Sequence, residues 1–173
     1  MPLEKKLITK RARPKSEALP EAEPATRVLR QFRIVFNAIK VHFRQVEKDA
    51  GMGGAQVWAL SVIASSPGIG VSELGRAMDV HQSTASNLIK PLLERAMILG
   101  VKDPADRRAL GLHITTEGEC VLRHAPAPFS GVLPDALAGL DGATLNRLEQ
   151  DLATLIAALA ADESSAATPL AEL

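Results

Sequence analysis

The most chemically suggestive stretch of the sequence is a run of short polar side chains that opens a helical segment at residue 82. The run consists of Gln82, Ser83, Thr84, Ser86, Asn87 and Lys90. Amides of this kind pair with adenine edges, hydroxyls pair with bases or phosphates, and a helix N-terminus attracts phosphate through its free N–H groups. The pattern indicates a DNA-contacting helix, and the alternative is an ordinary capped helix with a polar outer face.

A second polar group follows in the turn DPADRR at 103–108. Arg107 and Arg108 point into solvent from such a turn, where the minor groove of DNA can receive an arginine. Asp103 and Asp106 can pair with them and keep one side chain aimed outward. An arginine pair is a weak signal alone, and its position directly after the polar helix strengthens it.

The residues after this turn could support two kinds of sensor chemistry, metal binding and cysteine oxidation. Glu117, Cys120 and His124 share one helical face, and His42 from another helix could complete a metal site. Cys120 could instead respond to oxidation, although the neighbouring glutamates disfavour its thiolate. We expect no metal and no cofactor, because one helix often carries three such residues by chance. We also expect no enzyme, since the sequence contains no Walker loop, GxSxG elbow, HExxH or dinucleotide fingerprint.

Apolar residues at three- and four-residue steps predict the helices that position these groups. The first four predicted helices cover 25–50, 55–65, 72–78 and 82–96. Glycines end the first helix, Ser72 caps the third, and Pro91 should bend or loosen the fourth. The residues expected to face the core from the third and fourth helices are Leu74, Ala77, Met78, Leu88, Leu92 and Leu93.

A hairpin and two more helices complete the predicted order of elements. Short β-prone runs at 98–102 and 110–115 flank the DPADRR turn. Thr116 begins a fifth helix whose second half is made irregular by prolines, and Asp141 caps a last helix. The last helix has a seam suited to packing on another helix, formed by Leu145, Leu148, Leu152, Leu155 and Leu159.

Composition limits the class of protein. The 173 residues suit one domain with tails, the single cysteine indicates the cytoplasm, and no apolar run is long enough to span a membrane. Six basic residues in 1–16 predict a disordered arm, whereas 133–173 has one arginine against seven acidic residues. This charge gradient allows an anionic partner without requiring one.

Residues 55–122 resemble the DNA-binding core of the MarR family of bacterial transcription regulators. The matching stretches are QVWAL at 56–60, VSELGRAMDVHQSTASNLIKPLLERAMI at 71–98, DPADRR at 103–108 and LHITTEG at 112–118. The resemblance implies a mainly α fold with a small β-wing, in which a winged helix-turn-helix core is flanked by N- and C-terminal dimerisation helices. It also implies a homodimer whose fourth helix enters the major groove, with Arg108 in the minor groove, Asp106 orienting it and Arg107 on phosphate.

Members of this family commonly respond to small, often aromatic or phenolic ligands that bind between the dimerisation helices and the winged lobe. By that resemblance, the pocket would draw on the 117–124 face and on Phe36, His42, Phe43 and Trp58, although the three aromatic residues among these suit a core equally well. The sequence departs from the family at Ala96, where glycine is usual, at Pro91 and in the proline-rich fifth helix.

The predicted organisation has a disordered basic arm, one MarR-like domain and a frayed tail, over 1–24, 25–162 and 163–173. Within the domain, the winged helix-turn-helix takes about 55–118, and the dimerisation helices take about 25–50 and 116–161. The predicted function is that of a homodimeric, cytoplasmic transcription regulator, a repressor released from a pseudo-palindromic operator by a small organic ligand. The alternatives are a winged-helix adaptor that binds protein instead of DNA, or a DNA-binding regulator triggered by metal or oxidation.

Arg108→Ala is expected to weaken operator binding by an amount on the order of 1–3 kcal/mol while leaving the thermal midpoint almost unchanged. A wing-tip arginine loses its groove contact when it is truncated, but it leaves no cavity in a core. Titration of labelled operator DNA and a thermal melt of the same variant check both halves. A variant that melts early and still binds DNA normally would show that Arg108 is structural.

Overall fold

The computed structural model describes residues 23–102 and 110–172, which form seven α-helices, a two-stranded antiparallel sheet and two 3-10 helices. The α-helices are α1 (Pro24–Ala50), α2 (Gly54–Ser65), α3 (Val71–Ala77), α4 (Gln82–Glu94), α5 (Thr116–His124), α6 (Val132–Ala138) and α7 (Gly142–Leu159). The strands are β1 (Ile98–Lys102) and β2 (Leu110–Ile114), and the 3-10 helices are η1 (Glu163–Ala167) and η2 (Leu170–Glu172). The predicted class, mainly α with a small β-wing, is confirmed. None of the helices in these ranges is long and apolar enough to cross a membrane.

Helix α1 begins and ends close to the predicted residues. Pro24 lies at its start, and Gly51 adopts a left-handed conformation with a φ of 66° and donates its N–H to the Glu47 carbonyl. Only the second half of α1 has buried side chains, those of Ile39, Phe43 and Val46. The first half leaves a row of apolar side chains exposed, namely Val28, Leu29, Ile34, Val35 and Phe36.

The core lies where α2, α3, α4 and β2 meet. Its most deeply buried large side chains include Leu60, Ile63, Leu74, Met78, Leu92 and Leu112. Burying one such side chain contributes ~1.5–3 kcal/mol, so this layer fixes α4 relative to the hairpin. The opposite side of α4 is thereby presented to solvent.

The turn between α3 and α4 depends on a close approach of the backbone. Asp79 adopts a left-handed conformation with a φ of 52°, and the Val80 N–H donates to the Gly75 carbonyl over 2.9 Å. A Cβ on Gly75 would lie 3.1 Å from the Val80 carbonyl oxygen. Glycine therefore lets the turn close without displacing its neighbours.

The predicted cap of α3 is wrong by two residues. Gly70, rather than Ser72, occupies the N-cap position, because the Glu73 carboxylate reaches back and accepts the Gly70 N–H at 3.1 Å. This is half of a capping box, in which the third residue of the helix satisfies the N–H of the cap. The sequence signal for it is the glutamate rather than the serine.

Two residues that were expected to face the core, Ala77 and Leu93, are exposed instead. Each lies one residue, or about 100° of helix rotation, from a residue that does face the core. Those core residues are Met78 and Leu92. Where two apolar residues are adjacent, the sequence alone does not decide which of them faces the core; the position of the opposing helix decides it.

The hairpin is attached at its base to the loop between α2 and α3. The Gly68 N–H donates to the Leu112 carbonyl at 2.8 Å, and the Leu112 N–H donates to the Ile69 carbonyl at 2.9 Å. A Cβ on Gly111 would lie 2.9 Å from the Gly68 carbonyl oxygen, so the two backbones are in direct contact. The wing therefore moves with the helix-turn-helix at its base.

The region predicted as an irregular fifth helix divides into two short helices. α5 begins after Thr115, whose hydroxyl accepts the Gly118 N–H at 3.3 Å, and it ends before the prolines at 126 and 128. α6 follows Gly131 and carries Pro134 in its first turn, where a missing N–H breaks no helical hydrogen bond. The prolines thus mark the break between the helices, as expected from their lack of an N–H.

Phe43 of α1 connects this region to the helix-turn-helix. A Cβ on Gly54, at the start of α2, would overlap the Phe43 ring, and a Cβ on Gly131 would lie 2.7 Å from it. The neighbouring His42 donates from Nε2 to the Pro128 carbonyl at 2.9 Å. The start of α2 and the loop before α6 therefore converge on two consecutive residues of α1.

Helix α7 makes few contacts with the rest of this chain. Asp141 caps it, as predicted, by accepting the Thr144 N–H at 2.9 Å. None of the side chains of α7 is buried. Among the described residues, the predicted leucine seam is only partly covered: Leu145 and Leu152 are half-buried, and Leu148, Leu155 and Leu159 are exposed.

The predicted frayed tail over 163–173 is wrong for its described part, residues 163–172. These residues form η1 and η2, Pro169 is buried, and Ala171 packs against the core at the junction of α1 and α2. A short segment rich in alanine and serine carries no periodic signal. Its order comes from tertiary contact, which composition does not reveal.

Gly131→Ala is expected to lower the free energy of unfolding by about 2 kcal/mol. Gly131 has φ 100° and ψ 163°, a region that only glycine readily adopts, and the added Cβ would meet the Phe43 ring. Urea denaturation checks this, with Gly142→Ala as the control because a Cβ there meets nothing within 4 Å. Equal unfolding free energies for the two variants would contradict the described packing of Phe43.

Candidate nucleic-acid interface

The outer side of α4 brings together most of the residues predicted to contact DNA. We define the α4 polar face by its exposed members, Gln82, Ser83, Ser86, Asn87 and Lys90. Thr84, the sixth predicted residue, is half-buried at the edge of this face. The opposite side of the helix is buried through Ala85, Leu88, Ile89 and Leu92. The α4 polar face is therefore a polar surface on a helix that is fixed from behind.

The N-terminal end of α4 is open to an anion. His81 occupies the N-cap position without a side-chain hydrogen bond, and the first turn contains no acidic residue. By contrast, α5 and α7 carry side-chain caps from Thr115 and Asp141. The first N–H groups of α4 thus keep the positive end of the helix dipole available to a phosphate oxygen.

The side chains of the α4 polar face differ in what they can offer a base. The Ser86 hydroxyl donates to the Gln82 carbonyl at 2.8 Å, so in this state its oxygen acts toward solvent as an acceptor. The exposed amides of Gln82 and Asn87 can each offer a donor and an acceptor together, which matches the adenine edge in the major groove. Lys90 adds a cation without directional demands.

Pro91 and Ala96, the two residues near the end of α4 that differ from the family pattern, leave the helix intact. Helical backbone continues through Pro91 to Glu94, and the Arg95 N–H donates to the Pro91 carbonyl at 3.0 Å. Ala96 adopts a left-handed conformation with a φ of 52°, which glycine adopts with less strain. The Thr115 hydroxyl donates to the Ala96 carbonyl at 2.8 Å and thereby connects this turn to the start of α5.

The structure does not describe the residues predicted at the tip of the wing. Asp106, Arg107 and Arg108 lie outside the described residues, between the ends of β1 and β2. Lys102, the last residue of β1, is exposed beside this gap. It was not among the predicted contacts, although a cation next to an arginine-rich turn is a signal that the sequence contains.

The structure brings two of the four predicted pocket residues together. Phe36 and Phe43 line a groove of about 320 Å³ along α1, which we call the α1 groove; its lining also includes Lys40, Arg44, Leu170 and Ala171. The His42 ring meets Phe43 edge-on, with 5.2 Å between centroids, but does not line the groove. Trp58 is half-buried and packs against the core.

The proposed metal-binding side chains do not assemble into a site. In the described parts of the chain, no group of three or more histidine, cysteine and acidic side chains is close enough to hold a metal ion. Cys120 and His124 do approach each other, with 3.9 Å between Sγ and Nδ1. His124 Nδ1 lies closer to the Cys120 carbonyl, at 2.7 Å, which uses that ring nitrogen in a local hydrogen bond.

Sequence comparison connects this chain to known regulators. The profile of the MarR family matches residues 50–109. A curated protein of Thauera aromatica, described as a putative transcriptional regulatory protein for the hcr operon, is 32% identical over 118 residues. That match covers 64% of this chain and 71% of the Thauera protein.

Solved structures with a similar fold include a protein bound to DNA. The S. aureus MepR–DNA complex superposes with a TM-score of 0.54 at 16% identity, covering 79% of this chain and 99% of that one. The YusO protein of Bacillus subtilis gives a TM-score of 0.50 at 20% identity, covering 78% of this chain and 95% of that one. At these identities the likeness concerns the fold, and it extends beyond the winged core to the flanking helices.

Asn87→Ala and Lys90→Ala are expected to affect DNA binding in different ways. Loss of the Asn87 amide should relax the preference at one base position by ~1–3 kcal/mol, whereas loss of the Lys90 charge should weaken all sequences alike and reduce the salt slope by about 1. Both side chains are exposed, so neither change should lower the thermal midpoint. The measurement is affinity for a selected operator and its single-base variants at several salt concentrations; identical effects of the two substitutions would contradict this assignment.

Proposed function

This chain belongs to the MarR family of transcription regulators, and we propose that it is a cytoplasmic homodimer that binds a pseudo-palindromic operator in double-stranded DNA. We infer further that it is a repressor released by a small organic ligand. The α4 polar face carries the proposal, because it combines base-reading amides, an uncapped N-terminal end and a first turn without acidic residues. A helix with these properties suits the major groove, with phosphate at its N-terminus.

The contacts with DNA divide into those that read sequence and those that set position. Gln82 and Asn87 are the candidates for base readout, since their amides are exposed on the α4 polar face. Lys90 and Lys102 are candidates for phosphate contacts, which position the protein without reading sequence. Arg108 is proposed for the minor groove, with Asp106 orienting it and Arg107 on phosphate.

Dimerisation is supported by two uncovered apolar surfaces. The first half of α1 exposes several large apolar side chains, and α7 exposes Leu148, Leu155, Ile156 and Leu159. The residues that the structure describes, 23–102 and 110–172, leave both surfaces exposed, and large exposed apolar patches mark association sites. A second copy related by a two-fold axis would bury both surfaces and place two α4 helices on one side of the dimer.

The α1 groove is the candidate effector site. It combines the rings of Phe36 and Phe43 with two cations, Lys40 and Arg44, and one carboxylate, Glu47. The lining therefore keeps a net positive charge, which suits an aromatic or phenolic anion. Such a ligand would release DNA by binding better to a conformer in which the two α4 helices are wrongly spaced for consecutive major grooves.

An adaptor role without DNA is less well supported by the same surface. Along residues 82–90 of α4, the large apolar side chains, Leu88 and Ile89, are buried, and the exposed ones are polar. A protein-binding winged helix would be expected to expose apolar residues there. The family assignment also favours a regulatory role over a catalytic one.

Selection from a random DNA pool is expected to recover an inverted repeat with half-sites about 10 bp apart, because a two-fold dimer offers two α4 helices. Leu148→Glu should convert the protein to a monomer that recovers a single half-site with much lower affinity, because a charge would replace an apolar contact in the α7 seam. Gln150→Glu is the matched control, since it adds the same charge to the same helix outside the leucine seam.

The second readout is the oligomeric state of the wild type, Leu148→Glu and Gln150→Glu, measured by sedimentation. A wild-type chain that is monomeric at micromolar concentration, or a recovered operator without any inverted repeat, would contradict the dimer proposal. Failure of the wild-type protein to enrich any sequence would contradict DNA readout by the α4 polar face.

A further inference from the structure

The ordered C-terminal segment has a position that its composition did not predict. We call residues 162–172 the C-terminal strap. At one end, Pro169 is buried, and Leu170 and Ala171 pack at the corner where α1 leads into α2. A Cβ on Gly54 would lie 3.2 Å from the Ala171 methyl group, so contact with the start of α2 is direct.

The other end of the strap lies beside the turn that leads into α4. Glu163, Ser164 and the alanines of η1 share a gap of about 390 Å³ with Asp79 and His81. Asp79 is the left-handed residue of the turn, and His81 is the N-cap of α4. The strap therefore reaches the same end of α4 that is open to a phosphate oxygen.

The charges of the strap are opposite to those that this position requires for DNA binding. The strap carries Asp162, Glu163 and Glu172 without a basic residue. Hydrogen bonds from the Ser164 hydroxyl and N–H hold the pKa of Asp162 below its ordinary value, so this carboxylate is ionised at neutral pH. A DNA backbone that approached the start of α4 would meet the Glu163 carboxylate, which lies beside Asp79 and His81.

We propose that the C-terminal strap is an autoinhibitory element, which occupies the approach to the N-terminal end of α4 and competes there with the DNA backbone. This inference rests on the proposed function, since it assumes that α4 binds DNA. The strap lowers affinity in two ways: it forms one wall of the gap beside the turn and so narrows the approach of DNA, and its Glu163 carboxylate repels phosphates there. Its removal therefore strengthens binding to DNA of any sequence.

The contacts of the strap suit reversible docking. Within the described chain, its hydrogen bonds are internal: Ser164 and Ser165 bond to Asp162, the Thr168 N–H to the Ser165 carbonyl, and the Glu172 N–H to the Pro169 carbonyl. Docking on α1 and α2 therefore depends on the apolar contacts of Pro169, Leu170 and Ala171. The strap can leave without exposing a buried hydrogen-bonding group of the core, which is the property a displaceable element needs.

The test compares the full chain with a variant that ends at Ala161. Fluorescence anisotropy with a generic DNA duplex is expected to show roughly tenfold tighter binding without the strap, because Glu163 no longer lies beside the start of α4 and the chain loses two further acidic side chains. Leu170→Ser in the full chain removes an apolar anchor at constant charge, and it should give a smaller gain in the same direction. Leu170→Ser also tests the proposal by itself if the shortened chain does not fold.

A matched pair of charge variants tests the position of the acidic groups. Glu163→Gln and Glu172→Gln change the net charge equally, but only Glu163 lies beside Asp79 and His81. Glu163→Gln is expected to tighten binding by roughly threefold, and Glu172→Gln by less than half of that factor. Equal gains would show a general charge effect and would overturn the proposal.

The outcomes separate this inference from the proposed function. If the full chain and the shortened chain bind DNA with equal affinity, or if the shortened chain binds more weakly, the strap is not autoinhibitory and DNA binding still stands. If neither form binds any DNA at low salt, the proposed function fails and the inference fails with it. Tighter binding by the shortened chain and by Leu170→Ser, together with the difference between the two glutamates, supports both.

Discussion

The packing of Phe43 between two glycines is the constraint on which the arrangement of this protein depends. Its ring, on α1, leaves no room for a side chain at Gly54 or at Gly131. The first glycine starts the helix-turn-helix lobe, and the second starts the segment that leads through α6 to α7. This one aromatic ring therefore helps to set the position of the DNA-binding lobe relative to α1 and to the segment that leads into α6.

The α4 polar face depends on this constraint for its position relative to the rest of the molecule. The core behind α4 fixes the helix within its own lobe, but a two-fold DNA site also requires a fixed distance between two lobes. That distance depends on how α1 joins α2 and α6, where Phe43 and the His42–Pro128 hydrogen bond lie. In the proposed dimer, a small shift at this junction would be amplified along α1 into a change in the spacing of the two α4 helices.

The sequence predicted the elements that have local signals. Apolar periodicity predicted the extent of α1. Gly51 was predicted to end α1 and Asp141 to begin α7, and the run of polar residues predicted the outer face of α4. The errors fall where the outcome depends on tertiary contact: Ser72 loses the cap because Glu73 reaches Gly70, and Leu93 faces solvent because Leu92 fills the core. The α1 groove was predicted only in part, since residues 170 and 171 come from a segment without any periodic signal.

The α1 groove and the C-terminal strap share residues, and this sharing connects the two proposals. Leu170 and Ala171 line the groove on one side and anchor the strap on the other. A ligand that packs against them in the groove adds contacts which exist only while the strap is docked. By linkage, such a ligand stabilises the docked strap by the free energy of those contacts, and DNA binding is weakened by at most that amount. One pair of neighbouring apolar residues would then couple the effector to the N-terminal end of α4 within a single subunit, in addition to any change in the spacing between the subunits of the proposed dimer.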